Sequence, residues 1–182
     1  MATEPRDEKL IARARSGDAE AFAQLVTRHY DLIFRVAFRM LGRRSDAEDL
    51  TQDICVALPR KLHGFRGEAK FTTWLYRVIT NAATDRRREQ ATRSRAGDGW
   101  GELEQMNRAS LSEQREDLSW LQQAMATLPG ELRETAALVL GEGLTHASAA
   151  QVLEVSEGTV SWRMSEVKRT LRALAKEEER VQ

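Results

Sequence analysis

Apolar side chains recur at three- and four-residue steps along most of this 182-residue chain. This spacing places them on one face of an α-helix, with polar residues at the positions between. The chain contains only three prolines, so few of these periods are interrupted. The pattern predicts an all-α protein of two small helical domains joined by a flexible linker, the second a four-helix domain with a helix-turn-helix.

Residues that cap or end helices divide the beginning of the chain. We expect Asp7 to cap a first helix that ends near Gly17. Asp18 should cap a second helix that ends before Asp31. A strongly apolar third helix then runs to Gly42, which is a typical helix end.

Two more helices follow in the first half. The segment Ser45–Glu48 has the sequence of a capping box and predicts the start of a fourth helix. Pro59 should kink or end this helix, because proline has no backbone N–H to donate. Another helical period begins at Phe71 and runs to about Arg88.

The second half begins after a change in composition. Residues 90–116 are polar, contain several glycines and show no sustained apolar period, so they are interpreted as a linker. From Asp117 the helical period returns, and Thr145 and Ser156 are candidate caps for the last two helices. Two helices joined by a short turn, the second with a polar outer face, are typical of a helix-turn-helix.

Basic charge is concentrated before and along the helix that starts at Phe71. Between Arg60 and Arg95 there are ten basic residues against three acidic ones, although the formal net charge of the chain is zero. Phe65, Trp74 and Tyr76 are interleaved with these cations. Cations suit phosphates and rings suit unstacked bases, so the stretch favours binding of a nucleic-acid strand. A solvated basic helix end is the alternative.

Acidic residues form a ridge on the outer face of the fourth helix. Asp46, Asp49 and Asp53 follow one another at steps of three and four, with Gln52 beside them. Asp53 lies two turns into the helix, too far for the helix dipole to explain it. The ridge is a candidate docking face for a basic protein partner, and a solvated face is the alternative.

The last helix presents a polar outer face with candidate DNA contacts. Groups near its N-terminus could meet base edges in the major groove, whereas Lys168 and Arg169 could meet phosphates. The alternative is a protein-binding module whose last helix is amphipathic. The candidate residues are Thr159, Ser161, Trp162, Arg163, Ser165, Lys168 and Arg169.

Other classes of function find little support in the sequence. One cysteine, Cys55, and three scattered histidines provide neither a disulfide nor a local metal motif. There is no glycine-rich phosphate loop and no Ser/His/Asp set on neighbouring turns, so we expect no enzyme, no cofactor and no metal. No apolar run approaches a membrane span or a signal peptide, which predicts a cytoplasmic protein without membrane insertion.

The order of these features resembles the sigma factors of bacterial RNA polymerase, in particular the compact extracytoplasmic-function group, or group IV. The matching runs cover nearly the whole chain apart from the linker and both ends. They are Asp46–Asp53, Phe65–Glu68, Thr73–Arg77, Asn81, Asp85, Arg86, Leu128–Pro129, Arg133, Glu142–Leu144 and Val155–Val160.

The resemblance implies a division of labour between two domains. Residues 1–89 would be region 2, residues 90–116 the linker and residues 117–182 region 4. Region 2 would bind core polymerase through Asp46, Asp49, Gln52 and Asp53. It would recognise and melt the −10 element through Phe65, Arg66, Lys70, Trp74, Arg77, Asn81, Asp85, Arg86 and Arg88. The helix-turn-helix of region 4 would recognise the −35 element.

The resemblance also implies partners. These are the clamp of the largest polymerase subunit, the flap of the second subunit, promoter DNA and an anti-sigma factor. An apolar fringe around Phe22, Val56 and Trp100 is a candidate surface for the anti-sigma factor. A free-standing helix-turn-helix regulator remains the alternative, although the first half resembles neither a sensor nor a dimerisation domain.

Overall fold

The computed structural model describes residues 5–95, 120, 123–178 and 180, and every regular element in these residues is helical. The all-α prediction is therefore confirmed for the described part of the chain. The first helical group consists of α1 (Pro5–Arg15), α2 (Ala19–Leu41), α3 (Arg44–Leu62) and α4 (Phe71–Arg95). The second group consists of α5 (residues 123–127), α6 (Gly130–Ala136), a π-helical turn (Ala137–Gly141), α7 (His146–Leu153) and α8 (Glu157–Glu178).

Helix α2 is the centre of the first group and packs against α1, α3 and α4. Its fully buried side chains include Leu25, Ile33 and Met40, and α4 contributes Phe71 and Leu75 to the same core. Burying each such side chain stabilises the fold by about 1.5–3 kcal/mol. This core fixes α4 with its apolar stripe inward, so that its polar face points away from the first group.

The second group packs α8 against α6 and α7. Leu128, Leu138, Val160 and Val167 are almost completely buried in its core. The two groups also contact each other, because α7 lies against α4 and the π-helical turn lies against α2.

The predicted caps at Asp18, Thr145 and Ser156 are confirmed. The Asp18 carboxylate accepts from the backbone N–H of Ala21 at 3.0 Å, and this bond, reinforced by Arg13, lowers the pKa of Asp18. The Thr145 hydroxyl accepts from a backbone N–H at 3.1 Å, and the Ser156 hydroxyl accepts from one at 3.0 Å. Gly42 ends α2 in the left-handed region with a φ of 79°, as its position predicts.

Two other predicted helix starts are wrong. Asp7 lies inside α1, where its buried carboxylate binds Arg28 and, at 3.0 Å, Nε2 of His29. Helix α3 begins at Arg44, before the capping box, and its N-cap residue provides no side-chain cap. Glu48 accepts instead from Nε of Arg44 at 2.7 Å. In both cases a cation attracts the carboxylate more strongly than a backbone N–H.

Two predicted helix ends are also wrong. Helix α2 continues through Asp31 as one helix of 23 residues, because the buried face on either side of Asp31 is continuous. Helix α3 continues past Pro59 to Leu62. Pro59 is exposed, whereas Leu58 and Leu62 are fully buried, so packing of this last turn offsets the missing hydrogen bond.

Helix α4 extends to Arg95, which is seven residues beyond Arg88 and six residues into the predicted linker. The rest of the predicted linker, residues 96–116 with Trp100, lies outside the described residues. None of the helices among the described residues is long and apolar enough to span a bilayer.

Candidate nucleic-acid interface

The polar face of α4 lines a cleft of about 400 Å³ between the two helical groups. Leu75, Ile79 and Ala83 turn towards the core of the first group and leave the opposite face free of large apolar side chains. That face lines one wall of the cleft with Arg77, Thr80, Asn81, Thr84, Asp85 and Arg88. The other wall carries three carboxylates, those of Glu131, Glu134 and Glu154.

Two residues of α4 make direct bonds across this cleft. The Arg77 Nε donates to the backbone carbonyl of Gln151 at 3.0 Å, and its Nη1 lies 3.2 Å from a carboxylate oxygen of Glu154. The Thr84 hydroxyl donates to Glu134 at 2.5 Å. Of the residues predicted for the −10 element, Arg77, Asn81, Asp85 and Arg88 are therefore together at one surface, which the second group faces.

The loop before α4 holds its aromatic ring inward. Phe65 is buried, and its ring centroid lies 5.6 Å from that of Phe71 and 5.5 Å from that of Trp74. Arg15 donates to the Phe65 carbonyl at 3.3 Å and ties the loop to α1. In this conformation the rings of Phe65 and Trp74 pack within the protein, where Trp74 stacks on Phe71. Arg66 is exposed to solvent and Lys70 is half-buried.

The acidic ridge on α3 lies on a different side of the molecule. Asp49, Gln52 and Asp53 are exposed, whereas Asp46 is half-buried and accepts from Gln90 at 3.0 Å. Asp53 also binds Arg86, which is thereby drawn to the α3 side of α4 and away from the cleft. The structure thus separates Arg86 from the other residues predicted for the −10 element.

Glu142 makes a contact between the groups that the sequence patterns did not identify. Its carboxylate is 4% exposed and accepts from Nη2 of Arg35 at 2.9 Å, from Arg39 and from the Tyr76 hydroxyl at 3.2 Å. The pair with Glu142 raises the pKa of Arg35. Burial, with Glu142 adding to it, raises the pKa of Tyr76 to about 12. A charged residue between Gly141 and Gly143, directly after an apolar helix, was the available signal.

Arg133 of α6 also joins the two groups. Its guanidinium donates at 3.3 Å to the carbonyl of Met40 in α2 and at 3.3 Å to that of Leu128, and it also binds the Ala126 carbonyl. Burial, with the positive charge of Arg87 adding to it, lowers the pKa of Arg133 to about 10. This residue therefore serves packing between the groups.

Most of the predicted DNA contacts on the outer face of α8 are exposed to solvent. Ser161, Ser165, Lys168 and Arg169 are exposed, and Trp162 is 60% exposed. Thr159 is half-buried beside the Ser156 cap. The Arg163 side chain is only 12% exposed and donates to Glu131 of α6 at 3.1 Å, so it is turned towards the protein.

The comparisons with known proteins agree with this architecture. The Sigma-70 region 2 family matches residues 25–93. SigM of Mycobacterium tuberculosis, an ECF RNA polymerase sigma factor, is 34% identical over 94% of this chain and 85% of its own length. The RNA polymerase sigma-H factor of Pseudomonas aeruginosa is 29% identical over 90% of this chain and 91% of its own length.

A solved structure has a similar fold. CnrH, in complex with the cytosolic domain of CnrY, matches with a TM-score of 0.70 and 28% identity, covering 94% of this chain and 97% of that one. The similarity to SigM extends across both helical groups, at an identity and coverage that establish family membership. The chain belongs to the ECF RNA polymerase sigma factors and acts in transcription initiation.

Proposed function

We propose that this sigma factor uses three separate faces: the acidic ridge of α3 for core polymerase, the polar face of α4 with its preceding loop for the −10 element, and the outer face of α8 for the −35 element. Residues 1–89 would act as region 2, residues 90–116 as the linker and residues 117–182 as region 4. The family match over residues 25–93 supports the first of these assignments.

The observation that carries the proposal is the segregation of charge and hydrogen-bonding groups onto these faces. The ridge presents exposed carboxylates, which suit a basic partner, and basic groups lie on the other two faces. On α4, Arg77 and Asn81 lie one turn apart on the wall of the cleft. Cations that can bind phosphates, next to amide and hydroxyl groups that can bind bases, suit a nucleic-acid strand.

Helix α8 offers a different chemistry that suits a duplex. It is the second helix of the helix-turn-helix, and Ser156 caps its N-terminus. Its first turns expose small hydroxyl groups and one indole. Lys168 and Arg169 follow at the distance of two turns, where they would meet the DNA backbone. Arg163 and Thr159, although predicted as contacts, would support α8 from inside.

The proposed activity needs no catalytic group in this chain, because the polymerase carries out the chemistry. Core polymerase would be contacted at the clamp of its largest subunit and the flap of its second subunit, in the cytoplasm. An anti-sigma factor is a further partner, supported by the CnrH structure, which contains a second protein. Of the predicted apolar fringe, Val56 is 81% exposed, Phe22 packs partly against the core, and Trp100 lies outside the described residues.

The test is run-off transcription with purified core polymerase on a library of genomic fragments. The full chain should start RNA at a discrete set of promoters, and the double variant Arg77→Ala/Asn81→Ala should lose reactivity of −10 thymines to permanganate while retaining polymerase binding. Lys9→Ala, which removes an exposed cation on α1, is the control. Unaltered strand opening in the double variant would contradict the role of α4.

A gel-shift experiment separates a sigma factor from a free-standing regulator. A regulator would shift duplex DNA in a gel without polymerase. The proposed sigma factor should shift promoter duplex well only when core polymerase is present.

A further inference from the structure

Several of the bonds between the two helical groups lie along the face of α4 assigned to the −10 element. At one end Glu142 binds Tyr76 of α4 together with two arginines of α2. Arg77, the next residue, binds α7, and Thr84, about two turns further along, binds α6. A nucleic-acid strand cannot occupy this face while the second group remains where it is.

The carboxylates opposite this face are negatively charged, as the phosphates of a nucleic-acid strand are. Glu131, Glu134 and Glu154 line the wall opposite Arg77, Asn81 and Arg88. Carboxylates that accept from arginine and hydroxyl donors make the same kind of charge-assisted bond as phosphate oxygens. The second group therefore satisfies the donors of α4 in place of a DNA backbone.

We propose that the free chain adopts a closed state in which Glu142 latches the second group over the −10 face of α4, so that strand binding requires this latch to open. The closed state follows from the contacts alone. The statement that it blocks strand binding rests on the proposed function of α4.

Glu142 is assigned as the latch because it is the buried member of these contacts. Its side chain is 4% exposed, whereas the carboxylates of Glu131 and Glu154 are each 72% exposed. Exposed pairs contribute little, but loss of a buried carboxylate with three donors leaves those donors without a partner. Arg35 and Arg39 are each at least one-third exposed, so water can solvate them when the groups separate.

The local backbone is shaped to bring Glu142 to this place. The π-helical turn ends with the Glu142 N–H donating to the Ala137 carbonyl at 3.1 Å. Wide turns of this kind are rare and occur frequently at functional sites. Gly141 leaves room for the arginine beside it, because a Cβ there would lie 2.6 Å from Cδ of Arg39.

Two substitutions attack the latch by different routes. Glu142→Ala removes the carboxylate, and Gly141→Ala displaces Arg39 without changing any charge. Glu20→Gln is the matched control, because it removes an exposed carboxylate of α2 whose recorded partner is a neighbouring glutamine. Far-UV circular dichroism of each variant verifies that the helices are retained.

The first measurement is single-molecule energy transfer on the full chain, without DNA or polymerase. Dyes are attached at Val56→Cys and Ala173→Cys, which are exposed positions in the first and second groups, in a background that carries Cys55→Ser. The unsubstituted chain and Glu20→Gln should show one high-transfer population. In Glu142→Ala and Gly141→Ala the ratio of low- to high-transfer molecules should rise about tenfold or more.

The second measurement is the affinity of the same variants for a fluorescent pool of random single-stranded 20-nucleotide DNA. Affinity should increase with the open fraction, since only open molecules expose the α4 face. Helical variants that keep the high-transfer distribution would overturn the latch. Variants that open without any gain in strand affinity would overturn the occlusion.

The closed state and the proposed function fail in different ways. Neither measurement contains polymerase, so a chain that opens as expected but supports no transcription would contradict only the proposed function. A chain that starts RNA at promoters and shows no closed population would contradict only the latch.

Discussion

Helices α4 and α8 carry the two predicted DNA-binding faces, and the structure leaves them in opposite states. On α8, Trp162 and Lys168 extend into solvent. On α4, Arg77 and Thr84 are bonded to the second group across a narrow cleft. Both helices are amphipathic: one face of each packs into a core and the opposite face is polar. A polar face is therefore free to bind DNA only where no other part of the chain bonds to it.

The largest expected effect concerns Arg133, which also joins the second helical group to the first. Arg133→Met removes a buried guanidinium that serves the Met40 carbonyl and two carbonyls of its own group. We expect the free energy of unfolding to fall by about 3 kcal/mol, because these carbonyls lose their donor in the interior. Urea unfolding followed by circular dichroism measures the change.

The control for this prediction is Arg169→Met on the exposed face of α8, which should change stability by no more than about 0.5 kcal/mol. Equal effects of the two substitutions would show that Arg133 has no special role between the groups.

The second prediction tests whether the α8 face is free for DNA. Trp162→Ala combined with Lys168→Ala should weaken holoenzyme binding to promoter duplex by about 2 kcal/mol, with unfolding unchanged. Arg163→Ala is the contrasting variant, since it breaks the bond to Glu131 and should lower the melting temperature more than the affinity. A fluorescence titration with duplex DNA and a thermal melt separate these outcomes.

A loss of stability without loss of DNA affinity in the Trp162/Lys168 double variant would contradict a free DNA-binding face on α8. The α8 face would then be a packing surface, as the α4 face is in the closed state.

The third prediction concerns the acidic ridge of α3, which, like the α8 face, is exposed to solvent. Reversing Asp49 and Asp53 to Lys should weaken binding to core polymerase about tenfold, because two carboxylates at a docking face become cations. A pull-down with quantified polymerase measures it. The matched control reverses Glu8 and Glu20, exposed acids of the same group, and should leave the affinity unchanged.

The smallest expected effect is alkaline sensitivity at the latch. The pKa of Tyr76 is raised to about 12 from its ordinary value of 10.0, mainly by burial. The protonated hydroxyl therefore contributes stability that is fully present below pH 10 and is lost as pH rises through about 12. Tyr76→Phe removes one hydrogen bond, at a cost of about 1 kcal/mol near neutral pH.

The measurement is the melting temperature as a function of pH, from about pH 9 to about pH 12, a range that includes both pKa values of Tyr76. The curve of Tyr76→Phe should fall less steeply than that of the unsubstituted chain. Parallel curves would mean that folding does not raise the pKa of Tyr76.

Much of the fold could be predicted because its signals are local. The caps at Asp18, Thr145 and Ser156 depend on residues three positions away, and Gly42 needs only its own conformational freedom. The apolar stripe of α4 likewise repeats within the helix, so its buried face was found without knowledge of any neighbour.

The errors share a physical origin in contacts between distant residues. Asp7 does not cap α1, because Arg28 and His29 in the next helix bind its carboxylate. Pro59 does not end α3, because the following turn is held by the core of the group. In each case a tertiary contact outweighs a local preference.

The candidate site shows the same limit. Residues of the α4 face could be named from their charge and spacing, but nothing local indicated that Arg86 would be drawn to Asp53 on α3. Glu142 lies more than 60 residues after Tyr76, and its importance depends on how two groups meet. Such a pairing becomes visible only when the structure brings the residues together.

Photo-crosslinking from Asn81 is the most direct test of whether α4 contacts the −10 element in the holoenzyme and is covered in the free chain. A benzoylphenylalanine at this exposed position of α4 is irradiated with a promoter identified by run-off transcription, with and without core polymerase. We expect a crosslink to the −10 non-template strand in the holoenzyme and almost none in the free chain. Equal crosslinking in both, or a crosslink only outside the −10 element, would contradict it.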